Sequence, residues 1–220
     1  MRRLWHGEVI FNHDGPIGKY QVLFLDPDFN EDIRLALVAF GPMSLALGGR
    51  VFDDVILHTY FTPETLQRCV KTVKTAAEKA GRDPGSVRVW SCFATVGDHL
   101  PEQLRLKKTV ARLATYLRGY GVLMVRTKNW DPAVLQRFRE DPVVTSIPGG
   151  IDHKATPEQI EHIAGLIPEE WLEPSATGSA QQCVDRVRKE FEYGADAVIM
   201  HGATPDELEP IVAAYRATAT

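Results

Sequence analysis

The sequence predicts an α/β fold of parallel (β/α) units, four of them, in a single partial barrel domain over residues 1–220. Two observations carry this. Residues 35–58 read as a buried strand, a Gly-Pro break, a short helix and a second buried strand (LALVAF-GP-MSLALGGRV-FDDVILH). A continuous apolar run of this kind implies a parallel strand covered on both faces. The same strand–loop–helix order then recurs along the chain, with threonine-proline helix starts, which is the pattern of a parallel sheet. A closed parallel barrel needs eight such units.

Taken in order, residues 2–8 read as the final turns of a helix. A hairpin excursion follows at about 9–25, around His13-Asp14-Gly15-Pro16, and 26–32 is a polar connector. The regular series opens with a strand at 35–40, a helix from Pro42 to about Val51, and a strand at 55–58. Thr62 caps the next helix, with Pro63 at its first position. Leu66, Val70, Val73, Ala77 and Ala80 then step by three or four residues until Gly81 stops it. A third strand covers 87–96. The long helix after it carries Leu106, Val110, Leu113, Leu117 and Tyr120 on one face. Residues 121–152 behave as an insertion, with a short helix from Trp130-Asp131-Pro132 through Phe138 and a loop at Pro148-Gly149-Gly150. Capping-box patterns at Thr156/Gln159, Ser179/Gln182 and Thr204/Glu207 open three more helices. The fourth strand, 197–200, ends in His201-Gly202.

Composition narrows the function classes. A net charge of −4 argues against a nucleic-acid partner, because phosphate affinity needs a basic face. Cys69, Cys92 and Cys183 are scattered and form no CxxC pair, which fits a reducing cytoplasm. No stretch approaches the ~20 apolar residues of a membrane span, and the start has no signal-peptide core. The expectation is therefore a cytoplasmic protein with no membrane partner. The histidines make no HxH or HExxH arrangement, so no metal site is expected. No serine sits in GxSxG, and Gly48-Gly49 lie within a helix rather than before one, so they are no dinucleotide fingerprint.

In parallel β/α proteins function gathers at the carboxyl ends of the strands. Four places qualify: Phe40-Gly41-Pro42, His58, Thr95-Val96-Gly97 and His201-Gly202. Gly41 lets backbone approach a ligand closely, Pro42 presets the first helical turn, and that turn's free N–H groups attract an anion. Ser44 adds a hydroxyl one turn in. The plain alternative is a turn that binds nothing. His58 and His201 both close apolar strands and are expected at the mouth of one cavity, suited to hydrogen bonding a polarised ring carbonyl or moving a proton. Their plain alternative is a hydrogen bond to a neighbouring loop. Trp90 and Phe93 are read first as core packing. No residue is nominated as catalytic.

The runs 35–42, Leu45-Ala46-Leu47-Gly48-Gly49-Arg50 and Asp53-Asp54-Val55 resemble the luciferase-like monooxygenases, and more narrowly their deazaflavin-dependent branch. Arg3-Leu4-Trp5-His6-Gly7-Glu8, residues 76–84 and Gly194-Ala195-Asp196-Ala197-Val198 add to the likeness. The resemblance implies a (β/α)₈ barrel that binds coenzyme F420, or FMN, and transfers hydride to or from a small-molecule substrate. It places the cofactor phosphate at Phe40, Gly41, Pro42 and Ser44. It also implies that this chain matches the last four strands only. Two copies, or a separate chain supplying the first half, would then complete the barrel. A non-catalytic or truncated family member acting as an oligomeric binding protein is the alternative from another class. A third reading is an unrelated barrel enzyme that uses the Gly41 and Gly202 loops for a phosphorylated substrate.

Overall fold

A computed structural model describes residues 1–26, 28–29 and 31–218. The chain packs as two compact units, Met1–Leu35 and Ala36–Thr220. The first holds a short helix α1 (Arg2–Trp5) and an antiparallel hairpin of β1 (Ile10–Gly15) and β2 (Gly18–Leu23). Gly15 pairs with Gly18, so the turn is Pro16-Ile17, slightly later than the sequence suggested. The predicted connector at 26–32 includes residues 27 and 30, which lie outside the described residues.

The second unit opens with β3 (Ala36–Val38), α2 (Pro42–Val51), β4 (Asp54–Ile56), α3 (Pro63–Lys79) and β5 (Arg88–Gly97). Next come α4 (Glu102–Leu106), a π-helical turn (Lys107–Ala111) and α5 (Arg112–Lys128). Short helices follow: α6 (Pro132–Glu140), α7 (Pro142–Ser146), α8 (Ile151–Lys154), α9 (Pro157–Ala164) and α10 (Glu169–Leu172). The chain closes with β6 (Ala176–Gly178), α11 (Ala180–Glu192), β7 (Ala197–His201) and α12 (Pro205–Ala217).

The sheet is parallel throughout. Val38 registers with Ile56 and Ile56 with Trp90, while β7 pairs along Trp90–Ala94. The four anticipated strands are thus neighbours in chain order. β6 pairs the far end of β5 at Thr95–Gly97 and was not anticipated. An Ala-Thr-Gly bridge is too short to show a period.

Caps set the helix starts. Thr62 accepts the Thr65 N–H at 3.3 Å, and the three capping boxes are all formed, at Thr156/Gln159, Ser179/Gln182 and Thr204/Glu207. α2 and α3 cover one face of the sheet, where Val73 of α3 packs in one cluster with Val55, Leu57 and Val89, each 2% exposed or less. α11 and α12 cover Phe93 and Ala176.

Two expectations need correction. Residues 35–40 were expected to form a strand covered on both faces. Leu37 and Ala39 pack towards α2 and α3, but Ala36 is exposed and Val38 is 69% exposed. An apolar run cannot report that one face lacks a covering element. Tyr120 was expected on the buried face of α5. It sits at a kink (φ −137°, ψ 30°) between Gly119 and Gly121 and is 40% exposed. The helix continues past it to Lys128, so residues 121–128 belong to α5. The segment beyond contributes Trp130, Leu135, Phe138, Val144, Ile147 and Ile151 to a large apolar cluster, where Trp130 stacks on Trp171 at 4.3 Å between centroids.

Candidate functional site

Three strands end close together. Phe40 follows β3, His58 follows β4, and His201 is the last residue of β7. The kinked α5 lays Tyr116 and Tyr120 across them. The rings form one continuous cluster: Phe40 to His58 at 4.9 Å, His58 to Tyr116 at 4.9 Å, Tyr116 to Tyr120 at 5.6 Å, and Tyr116 to His201 at 6.4 Å. The two histidines expected at the mouth of one cavity both lie against the Tyr116 ring in this packed cluster. Their partners are tyrosines, which the sequence reading did not nominate.

The hydrogen bonds assign the protons. His58 Nδ1 lies 3.2 Å from the Thr59 carbonyl, which can only accept, so Nδ1 carries the hydrogen. Nε2 is then an acceptor, and the Tyr120 hydroxyl donates to it at 2.9 Å. Burial first, then the Lys128 charge, pushes the His58 imidazolium down to about 4. Burial likewise raises the Tyr120 phenol to about 12. At neutral pH this is a neutral pair. The Tyr116 hydroxyl lies 2.9 Å from His201 Nε2. Burial, and then Arg112, lowers the His201 pKa as well.

Two cations flank the cluster. Arg112 ion-pairs at 2.8 Å with Asp152, which is 3% exposed and also takes the Thr115 hydroxyl at 2.7 Å. Lys128 is 6% exposed, and its ammonium lies over Trp130 (4.7 Å), Phe61 (5.1 Å) and Phe40 (5.7 Å). It donates to the Thr59 carbonyl at 3.3 Å, and burial pulls its pKa down to about 7.

Gly41 caps α2 with extended backbone (φ −92°, ψ 162°) and no side-chain cap. A Cβ built there finds only Ser44 Oγ, at 4.0 Å. Ser44 turns back on the turn itself: its hydroxyl donates to the Gly41 carbonyl at 2.9 Å and accepts the Phe40 N–H at 3.4 Å. Its proton is therefore already used. Trp90 departs from the core-packing expectation, since its indole N–H donates to Asp54 at 2.7 Å while Arg88 covers its ring. Phe93 is 5% exposed and packs as expected.

The model of the luciferase-like monooxygenase family matches residues 1–197. The chain belongs to that family. A curated relative, the 5,10-methylenetetrahydromethanopterin reductase of Methanolobus tindarius, is 24% identical over 171 residues, 76% of this chain and 48% of that protein. The solved coenzyme F420-dependent tetrahydromethanopterin reductase of Methanopyrus kandleri superposes with a TM-score of 0.66 at 18% identity, covering 91% of this chain and 55% of that one. An F420-dependent secondary alcohol dehydrogenase gives 0.61 at 16% identity, over 98% and 58%. A long-chain alkane monooxygenase gives 0.58 at 14%, over 94% and 46%. These structural likenesses establish the fold. The chain spans about half the length of the relatives it matches. Among the described residues, no helix is long and apolar enough to cross a membrane.

Proposed function

We propose that this chain carries part of the active site of a luciferase-like oxidoreductase that works with coenzyme F420, or with FMN, on a small-molecule substrate. The observation that carries the reading is the convergence of Phe40, His58, Tyr116, Tyr120 and His201 at the strand ends beside the first turn of α2. F420 is placed first because the Methanopyrus reductase and the alcohol dehydrogenase are both F420-dependent. When bound, the cofactor supplies hydride chemistry, and the protein supplies orientation and a shielded surface.

The residues present fit such a group. The first-turn N–H groups of α2, which a helix leaves without internal partners, would hold its phosphate, with Phe40, Gly41 and Pro42 shaping the approach. The open space at Gly41 supports this, because a side chain there would fill it. Ser44 would reach the phosphate only by releasing the Gly41 carbonyl. Tyr120 has its proton on His58 and would accept from a substrate donor, while Tyr116 would offer its hydroxyl to a ring carbonyl or substrate oxygen with His201 Nε2 as the donor to it.

The finer architecture belongs to the same proposal. Residues 1–220 form one partial barrel domain, in which β3, β4, β5 and β7 are half of a (β/α)₈ barrel. A second copy, or a chain supplying the other half, closes it. The exposed Val38 on the uncovered face supports this, and gel filtration should give a dimer or larger. A well-folded monomer would reject closure by a second copy. The three free cysteines support a cytoplasmic setting.

Titration of the purified chain with F420 and with FMN, read by absorbance and fluorescence, tests the cofactor reading. Gly41→Ala should melt within about 1 °C of the parent, since its Cβ meets nothing closer than 4.0 Å, yet bind at least tenfold more weakly. Equal binding by the variant would remove the α2 site. No binding by the parent, even with a first-half chain added, would leave a non-catalytic oligomeric binding protein of the family.

A further inference from the structure

On the helix-covered face of the sheet, a cavity of about 370 Å³ opens between the start of α3, the α10 segment and α11. Glu190 of α11 and Phe93 of β5 line it, each 5% exposed or less. On α11 the buried positions run Cys183, Val184, Val187 and Glu190, so an acid occupies a place where helical spacing calls for an apolar side chain. Carboxylates are rarely this buried without a paired charge.

Among the described residues, the Glu190 side chain has one hydrogen-bond partner. The Ser91 hydroxyl donates to its Oε2 at 2.5 Å, and among the described residues no donor reaches Oε1. Phe61 and Tyr193 supply aromatic wall beside Phe93. The other charged groups lining the cavity are Glu64 on α3, Glu170 and Glu173 at α10, and Arg186 and Lys189 on α11. Arg186 is occupied, donating to the Glu173 and Ser175 carbonyls at 2.8 and 3.0 Å. A carboxylate lining an aromatic-walled cavity, with acids in the majority around it, complements a ligand with a positive end and an apolar body.

We propose that this cavity binds a small organic cation, an aryl- or alkyl-substituted primary ammonium, with Glu190 as its counter-ion. The ammonium donates to Oε1 while Ser91 holds Oε2, and the ligand's apolar part lies against Phe61, Phe93 and Tyr193. Burial keeps the free carboxyl up at about 7, opposed only by the Ser91 hydroxyl. Binding therefore expels a proton from Glu190 near neutral pH. The site is independent of the cofactor reading above.

Calorimetric titration of the whole chain with 2-phenylethylammonium chloride, against the neutral 2-phenylethanol, tests this. The ammonium should bind at least tenfold more tightly than the alcohol and tighten several-fold from pH 6 to pH 8. Its binding heat should vary with the buffer's ionisation heat as a proton is released. Glu190→Gln, which keeps shape and a Ser91 partner, should lose at least tenfold in ammonium affinity and leave the alcohol unchanged. Equal affinity for the two probes, an unaffected variant, or no proton release from the unmodified chain would each overturn the proposal. The last measurement needs no variant to fold.

Discussion

Gly49→Ala should cost about 3 kcal/mol, a fall of about 6–12 °C in the thermal midpoint for a chain of this size. α2 and α3 cross so closely at this point that a Cβ on Gly49 would stand 2.2 Å from the Val73 carbonyl oxygen and 3.1 Å from the Ala77 amide nitrogen. Both are backbone atoms in the middle of a helix and cannot swing away. Arg82 clamps the same corner by donating to the Gly49 and Phe52 carbonyls at 2.7 and 2.8 Å, so α2 cannot slide without breaking those bonds. Helix propensity works the other way, since alanine is favoured over glycine in a helix by about 1 kcal/mol. Gly119→Ala on α5 isolates that term, because a Cβ there meets nothing within 4 Å. It should gain about 0.5–1 kcal/mol. Calorimetric melts of the two variants should therefore move in opposite directions. A Gly49→Ala protein melting at or above the parent would show that the two helices separate freely.

The same pair of glycines shows where sequence reading stops. Gly48-Gly49 are recognisable as mid-helix and so as no dinucleotide motif. That they exist for helix crossing appears only once α3 is beside them. Local signals with a strict chemical cause were legible: threonine caps, Pro at the first turn, four apolar strands in order, and His58 and His201 at strand ends. What escaped depends on partners distant in sequence. Arg112, Tyr116 and Tyr120 form an i, i+4, i+8 stripe that was visible in the chain, yet the period alone assigned Tyr120 to the core. The kink at Tyr120, between two glycines, turns that side chain towards His58 instead. The exposure of Val38 and the three-residue β6 escaped because neither residue type nor period reports what packs alongside. Lys128 escaped for the plainest reason: a lysine in a helix's last turn is expected to be solvated, and this one is caged by Phe40, Phe61 and Trp130.

That lysine should make the protein more stable as the solution turns mildly alkaline. The amine's ordinary pKa is 10.5, and burial lowers it to about 7 in the folded chain. Between those values the unfolded chain binds more protons than the folded one, so stability rises with pH. At 1.36 kcal/mol per unit, and with the folded amine half-protonated at pH 7, the gain from pH 7 to pH 9 is about 2 kcal/mol. The useful window ends near pH 9. From about pH 8 Cys69, Cys92 and Cys183, whose thiols burial raises from 9.0 to about 11, already act in the opposite sense, since only the unfolded chain loses those protons, and they do so equally in parent and variant. Urea unfolding of the parent and of Lys128→Met at pH 7, 8 and 9 separates the contributions. The parent should gain on the variant by about 2 kcal/mol over the window, and parallel curves would mean the amine is hydrated in the folded state. Removing the charge should also reach the site, because Lys128 is the second cause, after burial, of the low His58 pKa. The His58 ring should then titrate at higher pH in Lys128→Met, measured by NMR. An unchanged ring titration would mean that burial alone keeps the His58–Tyr120 pair neutral, and that Lys128 adds nothing to the electrostatics at the strand ends.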